Sequence, residues 1–265
     1  MTLLQIVVLA IVQGFTEFLP ISSSGHLVLT PVVFGWPDQG LAFDVAVHLG
    51  TLAGVVTYFY RDLVGIAGGV LAMRPGKPVS ANGKLGLLLV AATIPAGLVA
   101  LAAGDLIASV ARDPLVIATT TLVFGIALWA ADALGRKVKT EQHYGLQTAI
   151  TLGIAQALAL IPGTSRSGIT MTAALALGFT RTAAARFSFL MSVPVIVLAS
   201  LKVIKDLVDS GEAVRWGELA LGAALSGLVA YLTIRFFLKF VEGMGMAPFA
   251  LYRIALAAVI VGVFA

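Results

Sequence analysis

Apolar residues run through most of the chain in long segments, and six of these segments are long enough to cross a lipid bilayer. A membrane-spanning α-helix needs roughly 20 mostly apolar residues. The six segments that meet this requirement are residues 42–60, 85–104, 114–134, 184–204, 216–238 and 248–265. The pattern therefore predicts an all-α polytopic membrane protein with six transmembrane helices.

Two further apolar stretches, residues 2–35 and 145–179, are interrupted in the middle by polar residues. The first break reads Pro20-Ile21-Ser22-Ser23-Ser24-Gly25, and the second reads Pro162-Gly163-Thr164-Ser165-Arg166-Ser167-Gly168. Irregular backbone at membrane depth is tolerated only where protein buries it or where it lines a wet cavity. We therefore predict two re-entrant helical hairpins, each made of two short half-helices.

The two halves of the chain resemble each other. The sequence Ser22–Gly25 recurs as Ser165–Gly168, 143 residues later, and Gln13 recurs as Gln156 at the same offset. Each half contains one hairpin and three crossings, so the second copy is inverted relative to the first. We predict a single membrane domain, 1–265, with repeat one at about 1–134, repeat two at about 145–265, and the hairpin tips meeting near the midplane, as in inverted-repeat transporters.

Composition and charge agree with this architecture. The chain is 59% hydrophobic and 11% charged, too apolar for a soluble enzyme or a nucleic-acid-binding protein, and it has no cysteine for a disulfide or a thiolate site. Eleven of its 17 Lys and Arg residues lie in four segments between the spans, 61–84, 135–144, 180–186 and 235–242, which we predict to be cytoplasmic loops. The opposite side carries Arg112, Lys202, Lys205 and Arg215. The positive-inside rule then places both termini, and the opening of the first hairpin, outside the cytoplasm.

Three ionisable side chains in the breaks are candidates for chemistry. Glu17 lies one helical turn after Gln13, and an intramembrane carboxylate is either functional or a partner for a buried base. His26 can act as acid, base or hydrogen-bond donor near neutral pH, or be structural. Arg166 offers a planar guanidinium that matches a phosphate group, or it forms an ion pair with Glu17.

Small polar residues surround these three side chains. They are Ser22, Ser23, Ser24 and Gly25 in the first break, and Gly163, Thr164, Ser165, Ser167 and Gly168 in the second. Backbone N–H groups at such a helix start are free to bind an anion. The alternative is a simple helix cap, but a cap needs only one serine. The combination predicts a site for an anion with several oxygens, such as a phosphate ester or a diphosphate.

Other polar residues are less informative. Asp44 and His48, four residues apart, either support the site or make packing hydrogen bonds. Arg253 is expected to pair with a buried acceptor or to extend to the membrane interface. Three residues near predicted loops are expected to be solvated: Asp105, Asp132 and His143.

Several motifs together resemble one known family. They are Gln13-Gly14-Phe15-Thr16-Glu17-Phe18-Leu19-Pro20 continued by Ile21–His26, the second break Pro162–Gly168, Phe43-Asp44 with His48-Leu49-Gly50-Thr51, and Tyr252-Arg253. With these motifs the chain resembles, over essentially its whole length, the undecaprenyl-diphosphate phosphatases of the bacitracin-resistance type. It differs at Gln13, where many members carry Glu, and this removes a charge.

The resemblance implies a bacterial inner-membrane enzyme that hydrolyses undecaprenyl diphosphate to undecaprenyl phosphate. The predicted topology, with the first hairpin opening outside the cytoplasm, favours a site open to the periplasm. Bacitracin then acts on the substrate rather than on the protein. The resemblance also implies a divalent cation, Mg²⁺ or Ca²⁺, bound by Glu17 and, in a lesser role, Gln13. By motif position the catalytic residues are Glu17, Ser23, His26 and Arg166, and the other break residues bind substrate.

Two questions stay open at this stage. Either Ser23 is a nucleophile with His26 as its base, or His26 activates a water molecule. The same inverted-repeat site would also suit a polyprenyl-phosphate flippase or an anion transporter. The expected partners are the polyprenyl diphosphate lipid and the bilayer, without nucleic acid, and a homodimer is left open.

Overall fold

The computed structural model of the protein describes residues 1–109, 113–210 and 215–264. Arg112 and the side chains of Asp105 and Lys202 lie outside this description. The described residues form eleven α-helices and one short 3-10 turn, Glu141–His143. The helices are α1 (Leu3–Thr16), α2 (Ser23–Phe34), α3 (Leu41–Tyr58), α4 (Tyr60–Leu71), α5 (Ala81–Ser109), α6 (Pro114–Leu134), α7 (Leu146–Leu158), α8 (Arg166–Ala176), α9 (Arg181–Ser210), α10 (Trp216–Met244) and α11 (Ala247–Phe264).

Six of these helices are long and apolar enough to cross a membrane, which confirms the six predicted spans among the described residues. The spans are Leu41–Tyr58, Ala81–Gly104, Pro114–Leu134, Arg181–Leu201, Trp216–Met244 and Ala247–Phe264. Their flanks differ from the prediction by a few residues, because polar residues such as Arg181 are accommodated within the first turn of a helix.

The two interrupted stretches form the helix pairs α1–α2 and α7–α8. These helices have 14, 12, 13 and 11 residues. The second helix of each pair follows a serine with positive φ: Ser22 at 74° and Ser165 at 68°. Each serine Oγ accepts a hydrogen bond from a glycine N–H, Gly25 at 3.4 Å and Gly168 at 3.2 Å. A left-handed serine is unfavourable by itself, so this cap helps to stabilise each break, and it is built the same way twice.

One helix was missed. The segment 61–84 was expected to be a cytoplasmic loop, but its first part is helix α4. Leu63 and Ile66 lie three residues apart on one face of α4 and pack into the main core, with Ile66 buried, while α4 lies against α5. A helix that buries one apolar face against a neighbour forms despite the charges at its start, Arg61 and Asp62.

Asp132 was expected to be solvated, and this was wrong. Its carboxylate is buried near the end of α6 and accepts two hydrogen bonds from Arg181, Nε to Oδ1 at 2.6 Å and Nη2 to Oδ2 at 3.0 Å. The backbone N–H of Met246 donates to it at 3.0 Å. The ion pair joins the ends of α6, α9 and α11, so residues that look like loop charges in sequence are structural. His143 is exposed, as expected.

Close contact between α3 and α10 joins the two halves of the chain. A Cβ atom at Gly50 would lie 2.1 Å from the carbonyl oxygen of Ala223, so only glycine permits this approach. The hydroxyl of Ser226 donates to the carbonyl oxygen of Val47 at 2.9 Å. Small residues at a helix crossing are typical of membrane proteins, where close packing holds helices together.

Candidate active site

The two helix breaks contact each other directly. The backbone N–H of Gly163 donates to Ser24 Oγ at 3.3 Å, and Ser167 Oγ donates to the carbonyl oxygen of Leu19 at 2.9 Å. All the residues that the sequence predicted for the two breaks therefore belong to one region of the structure.

Glu17 is the centre of this region. Its carboxylate is 8% exposed. Oε2 accepts hydrogen bonds from Ser23 Oγ at 2.8 Å and from Gln13 Nε2 at 3.0 Å. Oε1 accepts from Arg166 Nη2 at 3.4 Å, an ion pair that crosses from one break to the other. The one-turn spacing of Gln13 and Glu17 thus does place both side chains together.

Arg166 has hydrogen-bonding capacity to spare. Its Nη1 donates to the carbonyl oxygen of Ser188 at 3.0 Å, and its guanidinium lies over the ring of Phe18, 5.8 Å from the centroid. Its Nε is buried and has no hydrogen-bond partner, and the same holds for Oγ1 of Thr164. Buried hydrogen-bond donors are normally satisfied. The unpartnered Nε of the Arg166 guanidinium and the unpartnered hydroxyl of Thr164 therefore indicate a binding site for a ligand with acceptor oxygens.

The serines adjacent to the caps complete the two breaks. The hydroxyls of Ser22 and Ser24 lie 3.2 Å apart, and those of Ser165 and Ser167 lie 3.3 Å apart. Gly163 adopts φ 83°, and a Cβ there would lie 2.2 Å from Thr120 Oγ1. The first-turn N–H groups of α2 and α8 have no intrahelical acceptors, as at any helix start.

His26 has different partners from Ser23. Its Nδ1 donates to the carbonyl oxygen of Ser22 at 2.7 Å, and its Nε2 lies 2.6 Å from the hydroxyl of Tyr252. The rings of His26 and Tyr252 are stacked with a centroid separation of 5.5 Å. The hydrogen-bond acceptor of Ser23 is Glu17, so the pairing of Ser23 with His26 stays a prediction.

His48 lies closer to Glu17 than the sequence indicated. Its Nε2 is 3.6 Å from Glu17 Oε2, and its Nδ1 donates to the carbonyl oxygen of Asp44 at 2.7 Å. The four-residue spacing of Asp44 and His48 showed that they share a helix face. It did not show that α3 presents this face to the carboxylate of α1, which depends on tertiary packing.

Arg253 is completely buried and donates to four backbone carbonyl oxygens. Two belong to the breaks, Pro20 at 3.5 Å from Nη1 and Gly163 at 3.1 Å from Nη2. The other two belong to α6: Thr121 at 3.0 Å from Nε and Thr120 at 3.3 Å from Nη2. The predicted buried acceptor is confirmed, but the link to both breaks was missed. The sequence feature that could have indicated this link is an arginine inside an otherwise apolar helix.

These features define a multi-pass membrane protein with a buried, charged site where two breaks in apolar helices meet. Residues 6–259 match the family described as bacitracin resistance protein BacA. The chain is 55% identical to an undecaprenyl-diphosphatase of Alcanivorax borkumensis over 252 residues, which cover 95% of each chain. It is 55% identical to that of Teredinibacter turnerae over 256 residues, 97% of each chain. It is 51% identical to undecaprenyl-diphosphatase 2 of Stutzerimonas stutzeri over 267 residues, 100% of this chain and 99% of that one. The chain belongs to the BacA family.

Replacing Arg253 tests the link between the breaks. Arg253→Met leaves four carbonyl groups without their buried donor, and each such loss costs about 1–3 kcal/mol before relaxation. We expect the free energy of unfolding to fall by about 2–4 kcal/mol, measured as a lower unfolding temperature in detergent. Arg215→Met is the control, because Arg215 is 72% exposed. Equal unfolding temperatures for both variants would contradict the structural role.

Proposed function

We propose that this protein is an undecaprenyl-diphosphatase, which hydrolyses undecaprenyl diphosphate to undecaprenyl phosphate and inorganic phosphate. The observation that carries the proposal is the buried contact between Glu17 and Arg166 at the meeting of two helix starts. The names of the relatives support the same activity. It regenerates the lipid carrier of cell-wall synthesis, and it removes the diphosphate on which bacitracin acts.

The diphosphate group binds between the two breaks. Arg166 faces this region with an unpartnered Nε, and the first-turn N–H groups of α2 and α8 supply further donors. Arg253 adds a second buried positive charge, and its four acceptors are neutral carbonyl groups. Preorganised donors and charges of this kind stabilise the negative charge on the transferring phosphoryl group.

The hydrogen bond from Ser23 to Glu17 favours Ser23 as the nucleophile. In this route Ser23 Oγ bonds to the terminal phosphorus while the bond from that phosphorus to the bridging oxygen breaks. Undecaprenyl phosphate leaves with the electron pair, and the hydroxyl proton passes to Glu17. Water then hydrolyses the phosphoserine and releases phosphate. In the alternative route, His26 takes a proton from a water molecule that attacks the phosphorus directly.

The residues around Glu17 also fit a divalent cation such as Mg²⁺ or Ca²⁺, which prefers oxygen ligands. The Glu17 carboxylate supplies oxygen atoms, and Gln13 Oε1 is buried without a hydrogen-bond partner. Among the described residues no three His, Cys, Asp or Glu side chains form a metal-binding group, so substrate and water would supply the other ligands. When bound, the cation would neutralise charge on the diphosphate oxygens.

The same proposal includes the architecture around the site: one membrane domain of two inverted repeats, each with a re-entrant hairpin. At 1.5 Å per residue, helices of 11–14 residues reach only about 16–21 Å, short of a hydrocarbon core of about 30 Å. The matching caps at Ser22 and Ser165 support a repeat. The family match supports a bacterial inner-membrane protein, and the distribution of Lys and Arg supports a site that opens to the periplasm. The homodimer stays a prediction.

The activity is tested by phosphate release from undecaprenyl diphosphate by the purified protein in detergent, with Mg²⁺ and with chelator. We expect release that chelation abolishes, and losses of at least about 100-fold in both Glu17→Gln and Arg166→Lys. Glu17→Gln removes the proton acceptor and cation ligand, and Arg166→Lys removes the planar guanidinium that matches a phosphate group. Glu242→Gln and Arg235→Lys are matched exposed controls. A wild-type protein that binds the lipid without releasing phosphate would instead favour the flippase or transporter.

The nucleophile is tested by comparing Ser23→Ala with His26→Ala. The serine route predicts that Ser23→Ala lowers kcat by at least about 100-fold, and that wild-type protein briefly carries phosphate on Ser23. Thr30→Ala is the control, because the Thr30 hydroxyl on the same helix donates to a backbone carbonyl. If Ser23→Ala keeps most activity while His26→Ala loses it, water attack replaces the serine route.

The orientation is tested by single cysteines, without background because the chain has none. Pro37 and Lys77 are exposed, and they lie on predicted periplasmic and cytoplasmic segments. We expect a membrane-impermeant maleimide to label Pro37→Cys in cells with an intact inner membrane, and Lys77→Cys only after that membrane is permeabilised. The reverse pattern would exclude a periplasmic site.

A further inference from the structure

The imidazole of His48 is held in one orientation beside the catalytic carboxylate. Its Nδ1 lies 2.7 Å from the carbonyl oxygen of Asp44. A carbonyl oxygen only accepts hydrogen bonds, so Nδ1 carries the proton and neutral His48 has its lone pair on Nε2. That nitrogen faces Glu17 Oε2 at 3.6 Å.

In neutral His48, the lone pair of Nε2 therefore faces the lone pairs of Glu17 Oε2. The separation of 3.6 Å is longer than an N–H···O hydrogen bond, which is usually about 2.7–3.2 Å. It is close to the separation of two atoms that share one ion at ligand distances near 2.1–2.4 Å, about 3–3.5 Å. A cation between His48 and Glu17 would turn this contact between two acceptors into an attractive one.

The side-chain amide of Gln13 adjoins the same carboxylate oxygen. Gln13 Nε2 donates to Glu17 Oε2, and the oxygen of the same amide, Oε1, is buried without a hydrogen-bond partner. A buried amide oxygen without a donor is uncommon, and a cation would satisfy it. His48 Nε2 and the Gln13 amide thus both lie beside Oε2 of Glu17.

We propose that His48 Nε2 is a protein ligand of the divalent cation, together with Glu17 and Gln13. The proposal rests on the proposed function, in which a cation binds near Glu17. A histidine that ligates a metal usually donates its other ring N–H to a carbonyl or carboxylate, as His48 does to Asp44. Sequence assigned only Gln13 and Glu17 to this site.

A nitrogen ligand changes the cation that the site prefers. Carboxylate and amide oxygens suit Mg²⁺, Ca²⁺ and Mn²⁺, whereas imidazole suits Fe, Ni²⁺, Cu²⁺ and Zn²⁺. Of the three ions that suit oxygen, Mn²⁺ is the transition metal, so an imidazole ligand favours it over Ca²⁺. We therefore infer that this chain binds Mn²⁺ more tightly, relative to Ca²⁺, than a site of oxygen ligands alone would. His48→Gln replaces the nitrogen by an amide oxygen and should remove this preference.

The test is pulsed electron paramagnetic resonance of Mn²⁺ bound to the purified protein, which detects nitrogen nuclei bonded to the ion. The chain has only three histidines, His26, His48 and His143. We expect imidazole nitrogen coupling in the wild type, its loss in His48→Gln, and its retention in His26→Gln and His143→Gln. Titration should show that His48→Gln raises the Kd for Mn²⁺ roughly 10–100-fold and that for Ca²⁺ less than about threefold.

Bound Mn²⁺ without nitrogen coupling in the wild type, or coupling that persists in His48→Gln, would overturn the proposal and leave a plain ion pair between His48 and Glu17. If His48→Gln does not fold, ¹⁵N-histidine labelling of the wild type shows whether a histidine binds the ion, and unchanged coupling in His26→Gln and His143→Gln then assigns it to His48. Phosphate release is measured separately. Release without nitrogen coupling rejects only the role of His48, whereas absence of release rejects the phosphatase itself.

Discussion

The guanidinium of Arg253 is the group on which the arrangement of the site most depends. Each break leaves buried backbone carbonyl groups without helical hydrogen-bond partners, and an unpaired group in such surroundings is costly. Arg253 donates to one carbonyl from each break and to two from α6. The Arg253 side chain therefore pairs one carbonyl group of each break and holds the two breaks together. Direct bonds such as Gly163 to Ser24 then determine which residues face each other.

Within this frame, Glu17 and Arg166 form a pair that suits ligand exchange. The contact of 3.4 Å is long for a charge-assisted hydrogen bond, and both groups are largely removed from water. A buried ion pair regains only part of its desolvation cost. In the proposed function, an incoming phosphate would therefore take over Arg166 at little net loss, while Glu17 kept its bonds to Ser23 and Gln13. The same pairing keeps both charges satisfied when no substrate is bound.

Local patterns predicted the parts of this structure that local physics determines. The six spans follow from apolar length, and the two short helix pairs follow from polar breaks in apolar runs. The ion pair of Arg166 with Glu17 was one of the predicted alternatives. The partners of other charged residues could not be predicted in this way, because they depend on how distant helices pack. Asp132 was expected to be solvated and is buried against Arg181. The stacking of His26 on Tyr252, 226 residues away, could not be predicted either, while the pairing of His26 with Ser23 stays a prediction.

The two breaks have the same backbone conformation at their capping serines but carry different side chains. At the offset of 143 residues, Ser22 corresponds to Ser165 and both cap a helix, whereas Ser23 corresponds to Arg166 and Glu17 to Leu160. The carboxylate of Glu17 thus lies just before the first break, and the guanidinium of Arg166 lies in the second. A symmetric pair of helix starts would bind an anion from two sides without distinguishing its ends. The proposed substrate, a diphosphate ester, has one end to hold and one bond to break, so different side chains at the two breaks would orient it in the site.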